Sequence, residues 1–221
     1  MTLILHYAPD NASLCIRIAL LKQGLPFQTR LVDRRARAQR DTAYLALNPH
    51  GLIPVLEAPD GPLFETAAIL IWLDETHGDL LPPRGDPTRA AALSWLVWLS
   101  NSLHPALQIL FGPARFVPPD ILPPLIATTR TRIAALLDLA EAHIPAAPAL
   151  DAYLFPMLRW LALYPRGETA WFDLARWPGL YDRAAAWETS APVRAAAVAE
   201  GLGARPVTRP QPPNPPEGSP T

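Results

Sequence analysis

The chain is poor in the residues that usually announce redox or metal chemistry. It has one cysteine, Cys15, so an internal disulfide and a thiolate metal cluster are both excluded. His6, His50, His77, His104 and His143 form no H-x-x-x-H pair, and no other metal-ligand spacing accompanies them. Charge is scarce as well: charged residues are 18% of the 221, and the net charge is −1. That balance argues against a broad surface for nucleic acid or for an anionic membrane. No apolar run approaches the ~18 residues that a membrane-spanning helix needs. The N-terminus, MTLILHYAPD, has no basic segment before its apolar residues and meets Pro9 and Asp10 at once, unlike a secretory leader. A soluble, cytoplasmic protein is the expectation. Lysine is nearly missing too; of 19 basic residues Lys22 is the single lysine, a bias that with the abundant alanine reads as genomic base composition.

What the chain has in excess is proline, 28 residues against 11 glycines, in a sequence that is 50% hydrophobic. Seven prolines crowd the last stretch, from Pro206 to Pro220, where almost nothing apolar is available to bury. Residues 203–221 are therefore expected to be an extended, disordered tail.

The body divides in two. Thr2 to Tyr7 and Phe27 to Val32 read as strands, with a helix from Ser13 that ends near Gly24. Asp41 to Leu47 is weakly helical and is closed by Asn48-Pro49. Two short strands flank the Pro59-Asp60-Gly61 turn, and Glu65 to Thr76 is a helix. The order β-α-β-α-β-β-α over residues 1–80 predicts a small mixed sheet with helices on both faces, an α/β unit. From Asp86-Pro87 the periodicity is helical, over roughly 87–111, 119–143, 150–163, 179–188 and 191–201, so residues 86–202 are expected to form an all-α unit. Pro105 and Pro156 fall inside two of these segments and should kink or split them.

Two motifs occur in order and at fixed spacing. Asn48-Pro49-His50-Gly51-Leu52-Ile53-Pro54-Val55-Leu56 is followed by Leu63-Phe64-Glu65-Thr66-Ala67-Ala68-Ile69. Together they resemble the glutathione transferase family, where an NPxGxVPxL segment precedes an E-S/T-x-A-I helix start. Leu103-His104 and the stretch Asp151-Ala152-Tyr153-Leu154-Phe155-Pro156-Met157-Leu158-Arg159-Trp160 are similar to the bacterial beta class. The resemblance implies a thioredoxin-like N-terminal domain, a helical C-terminal domain, glutathione as cosubstrate, a role in detoxification and a homodimer.

It also implies where glutathione sits. The residue before the family's cis proline, here Ile53 before Pro54, offers its backbone to the cysteinyl part. Glu65 and Thr66, at a helix start with its exposed N–H groups, suit the γ-glutamyl ammonium and carboxylate. Arg37, within a basic cluster of Arg30, Arg34, Arg35, Arg37 and Arg40, lies near the position that binds the glycine carboxylate in beta-class enzymes.

The beta-class cysteine before the first helix is missing: Ala12 holds its place, followed by Ser13. Without it no mixed disulfide with glutathione can form there. A hydroxyl from Ser13 or an amide from Asn11, aided by the helix start, could favour thiolate over thiol; lowering the free thiol pKa of ~8.5 by two units requires ~2.7 kcal/mol. Asn, Ser and Asp before an apolar run are equally ordinary helix-capping residues. Cys15 reads as a buried small hydrophobe. His104 matches a beta-class histidine that reaches toward the thiol. Leu52 stands where many relatives carry Lys or Gln, and Pro148 replaces a capping hydroxyl.

The expected function is a glutathione transferase acting on an apolar electrophile held by the helical unit. The alternatives are a glutathione-dependent disulfide or peroxide reductase or isomerase on the same fold, and a non-catalytic member that binds glutathione or a protein.

Overall fold

A computed structural model of the chain describes residues 2–220. Met1 and Thr221, at the outer ends of the expected N-terminal unit and tail, lie outside the described residues.

The first half is built on four strands, β1 (Leu3–Tyr7), β2 (Phe27–Leu31), β3 (Val55–Ala58) and β4 (Gly61–Phe64), in the order β2-β1-β3-β4. β1 and β2 run parallel, and the helix α1 (Ser13–Lys22) forms the crossover between them. β3 and β4 are antiparallel to their neighbours and joined by the tight turn that Asp60-Gly61 permits, with Gly61 at φ +124°. The short α2 (Thr42–Leu45) precedes β3, and α3 (Thr66–His77) follows β4. This is the thioredoxin-like βαβαββα arrangement. The apolar faces of β1, α1 and α3 meet in one core, with Leu5, Ile16, Leu20, Leu56, Ile69 and Leu70 fully buried.

The second half is helical: α4 (Arg89–Trp98), α5 (His104–Phe111), α6 (Leu122–His143), α7 (Pro148–Leu163), α8 (Pro178–Trp187) and α9 (Ala191–Glu200). α4 and α5 are one continuous rod joined by a π-helical turn, Leu99–Leu103, placed just before Pro105. Pro105 lacks the N–H that an α-helix would require, and the wider turn preceding it takes up the misfit. Pro156 does not split α7 either; it is buried in the middle of the helix, whose residues from Ala149 to Leu161 are almost all withdrawn from solvent. α7 is thus the central post, packed by α1, α4, α5 and α8.

The tail is not free. Its residues form no helix or strand after α9, as the prolines require, but Val207 and Ser219 are buried and the segment is bonded along its length. The Arg159 guanidinium donates to the carbonyls of Leu202, Pro206 and Gln211. The Glu188 carboxylate accepts from Val207 N–H, Thr208 N–H and the Thr208 hydroxyl. The expectation of disorder counted only apolar burial. Here buried charges of the helical half supply the partners, and proline lowers the entropy lost on ordering.

Candidate active site at the sheet edge

The register of the sheet brings three segments to one edge. Tyr7 at the end of β1 lies opposite Leu31 at the end of β2. On the other flank His6 pairs with Val55, so Pro54 arrives next to Tyr7, and the Ile53–Pro54 peptide is cis. Val55 pairs with Phe64, which leads directly into Glu65 and the start of α3. The loop from Ala8 to Ala12 leaves β1 at the same edge and enters α1. Ile53, Pro54, Glu65, Thr66, Asn11 and Ser13 are therefore gathered around the end of β1 by topology alone.

Glu65 has φ +70° and an exposed side chain, while Thr66 behind it is buried. α3 carries no side-chain cap, so its first N–H groups lack an intrahelical partner and suit an anion. Burial raises the pKa of the Tyr153 hydroxyl, against the opposing pull of the neighbouring Ser100 and Thr66 hydroxyls. Tyr153 in turn meets His104 Nδ1 at 2.8 Å. His104 is thus tied through Tyr153 to the start of α3. Burial lowers its pKa to about 4, so the imidazole is neutral at physiological pH.

Ser13 is fully buried. Its hydroxyl donates to Ala8 O at 3.1 Å and accepts from Ala8 N–H at 3.3 Å, which closes the loop on itself. A hydroxyl has one proton, and this one is directed at the Ala8 carbonyl rather than outward. The Asn11 amide points elsewhere: Nδ2 donates to the Pro220 carbonyl at 3.2 Å. α1 has no side-chain cap, so neither residue performs the capping role that their types suggested. Cys15 is fully buried, and burial raises its pKa, consistent with an inert core thiol.

Among the five clustered arginines, Arg37 is exposed, at φ +58°, whereas Arg34 is half-buried and donates to the Pro220 carbonyl beside Asn11. Burial and the neighbouring Arg115 lower the Arg34 pKa. Arg30 pairs with Glu57, and Arg40 reaches His50 O at 3.3 Å. The arginine brought to the loop is therefore Arg34.

Sequence reasoning missed Asp10, the residue that fixes the loop. At φ +52° and buried, it accepts four hydrogen bonds from α7 and its C-terminal neighbour: Arg159 Nε at 2.9 Å, Arg159 Nη2 at 3.1 Å, Trp160 Nε1 at 3.0 Å and the Tyr164 hydroxyl at 2.9 Å. Its own N–H donates to Glu200 Oε2 at 2.8 Å, and Glu200 Oε1 accepts from Arg17 Nε at 2.7 Å. Burial pushes the Glu200 carboxyl up to about 7, against the pull of Arg17 and of the Asp10 N–H. The one available signal was Asp10 itself, a carboxylate in an apolar neighbourhood with the apolar-flanked Arg159 far away in sequence.

A cavity of about 540 Å³ opens elsewhere, between the end of α3 and the start of α7, lined by Asp74, Gly78, Arg84, Arg89 and Pro148. It shares no residue with the sheet edge. Among the described residues no cluster of three or more His, Cys, Asp or Glu could hold a metal ion, and no helix is long and apolar enough to cross a membrane.

A family model described as the glutathione S-transferase N-terminal domain matches residues 13–76. The glutathione S-transferase GST-4.5 of Xanthomonas campestris is 32% identical over 168 residues, covering 71% of this chain and 81% of its own. A glutathione transferase homologue from Sulfitobacter, solved with bound glutathione, superposes with a TM-score of 0.77 at 26% identity, over 88% of this chain and 96% of that one. A sphingomonad glutathione S-transferase complexed with glutathione gives a TM-score of 0.74 at 28% identity, over 90% of this chain and the whole of its own. With this fold and these relatives, the chain belongs to the glutathione S-transferase family.

Proposed function

We propose that the protein is a glutathione S-transferase that activates the thiol of glutathione at the sheet edge for attack on a small apolar electrophile. The observation that carries this reading is the convergence of three segments at the end of β1: Ile53 before Pro54, the Glu65-Thr66 start of α3, and the Asn11 loop leading into α1. Each offers what a different part of the tripeptide needs. The N–H groups at the start of α3 and the Thr66 hydroxyl suit the γ-glutamyl carboxylate, and Glu65 the ammonium. The Ile53 backbone suits the cysteinyl amide. Arg34, with Arg37 at the rim, suits the glycine carboxylate.

The sulfur then falls beside the loop before α1. Asn11 Nδ2 is the donor that stabilises the thiolate there, assisted by the helix start. Ser13 acts as a positioning residue, since its proton holds the loop closed at Ala8. His104, neutral above about pH 4, holds Tyr153 against Thr66 rather than carrying a proton. The electrophile lies against the helical unit near Phe111 and Tyr164, whose rings meet at 6.4 Å. The thiolate displaces a leaving group from it or adds to it. Residues 1–80 form the glutathione unit and 86–202 the substrate and dimer unit of a cytoplasmic homodimer.

Calorimetric titration tests this directly. Wild type is expected to bind glutathione, and Thr66→Ala roughly tenfold more weakly, as loss of a hydrogen bond to a charged group entails. Absence of binding by the wild type would overturn the reading in favour of a non-catalytic scaffold. Binding without conjugation of aryl halides, but with turnover of organic disulfides, would move the activity to a reductase.

A further inference from the structure

The tail after α9 has two parts held in different ways. Gly201, at φ +64°, turns the chain back across the end of α9; a Cβ there would lie 2.0 Å from the Asn214 carbonyl oxygen, and Asn214 N–H donates to Gly201 O at 2.9 Å. Up to that point the tail is anchored by Arg159 and Glu188, both buried in the helical half. Beyond Asn214 it crosses to the sheet edge. The Tyr7 hydroxyl, kept protonated by burial, donates to Glu217. Gly218, at φ +74°, lies so close to β2 that a Cβ would sit 2.5 Å from Leu31 Cδ1 and 3.2 Å from Pro9 Cδ. Ser219 is buried, and the Pro220 carbonyl accepts from both Asn11 Nδ2 and Arg34.

The tip therefore occupies donors at the edge where the thiol is to be held. Asn11 Nδ2 spends one of its two hydrogens on the Pro220 carbonyl, and Arg34 is turned to the same oxygen, so a sulfur must displace that oxygen to take this hydrogen. The anchor is held by wholly buried charges, whereas in the tip Glu217 and Gly218 are exposed, Pro220 is half-buried and Ser219 alone of the four is buried. The tip is thus the less covered part of the segment.

We propose that Glu217–Pro220 form an intrasteric strap that competes with the sulfur of glutathione, and with an apolar group carried on that sulfur, for Asn11, and with the glycine carboxylate for Arg34. The strap hinges beyond Asn214 and lifts when the ligand arrives. This inference rests on the glutathione reading given above. A strap closed most of the time reduces apparent affinity by the fraction of molecules open, so a strap open one time in ten weakens binding about tenfold.

The test uses full-length wild type, Gly218→Val and Glu217→Ala, titrated calorimetrically with glutathione and with S-hexylglutathione, with thermal unfolding as a control. Valine at 218 cannot seat against Leu31 and Pro9, so this variant keeps the anchor and frees the tip. It is expected to bind S-hexylglutathione roughly tenfold more tightly than wild type, and glutathione with a smaller gain in the same direction. Glu217→Ala, which loses only the Tyr7 contact, should show a lesser gain. Equal affinities in all three chains would overturn the strap and leave the glutathione site intact. Weaker binding by the variants would also overturn it, making the tip a wall that contributes contacts. Failure of every chain to bind either probe would remove the glutathione reading itself, and the strap with it.

Discussion

Asp10 carries more of the site than its neighbours do, although it touches none of the expected glutathione contacts. Among the described residues its carboxylate is the acidic partner of the fully buried Arg159, and the remaining guanidinium hydrogens reach tail carbonyls. Replacing a buried carboxylate by its neutral amide leaves the guanidinium without counter-charge, which typically costs about 3–5 kcal/mol. For Asp10→Asn a drop in melting temperature on the order of 10 °C is expected. A drop below roughly 2 °C would mean that the tail carbonyls alone satisfy Arg159. Residue types misled here in a definable way. Asp10, Asn11 and Ser13 all look like helix caps, yet none caps α1; they serve α7, the tail and Ala8 respectively. Partners more than a hundred residues away in sequence leave no local trace.

At the scale of elements, α9 steadies the loop through Glu200, and that link is sensitive to pH. The Glu200 carboxyl is raised in the folded chain from 4.5 to about 7. Between those values the unfolded chain has lost the proton that the folded chain keeps, so unfolding releases protons and this contribution to stability declines as pH rises from about 5 to 7. His104 acts with the opposite sign at the acid end. Its folded pKa of about 4 lies below the ordinary 6.5, so its contribution is absent at low pH and grows as pH rises through that interval. In Glu200→Gln the amide still meets Arg17 and the Asp10 N–H but cannot titrate. Thermal unfolding at pH 5 and pH 7 should show the variant gaining on wild type at the higher pH, by on the order of 5 °C. A difference between the two chains that is the same at both pH values would contradict this assignment. The elements themselves were largely legible: alternation and helical periodicity place every strand and long helix to within a few residues. The π-helical turn before Pro105 was not, because sequence indicates that a proline must disturb a helix but not whether the rod bends, breaks or widens.

Across the whole molecule, the two motifs around Pro54 and Thr66 were readable because the family's spacing depends on strand register, which topology fixes. The tail was misjudged because composition measures what a segment can bury of itself. It says nothing of the charges that another segment offers it, here Arg159 and Glu188. The loop before α1 is thus held between two distant parts of the chain: α7 and α9 grip it through Asp10, and the tail tip lies on Asn11.

In the proposed function this loop, without the beta-class cysteine, lowers the thiol pKa of bound glutathione. Thiolate absorbance of the bound tripeptide, followed from pH 5 to 10 in the wild type and in Asn11→Ala, measures that pKa directly. In the wild type the bound thiol is expected to titrate one to two units below the ~8.5 of a free thiol, and in Asn11→Ala to return at least half of the way. A bound thiol that titrates at its free value in the wild type, or a shift that survives intact in Asn11→Ala, would contradict it.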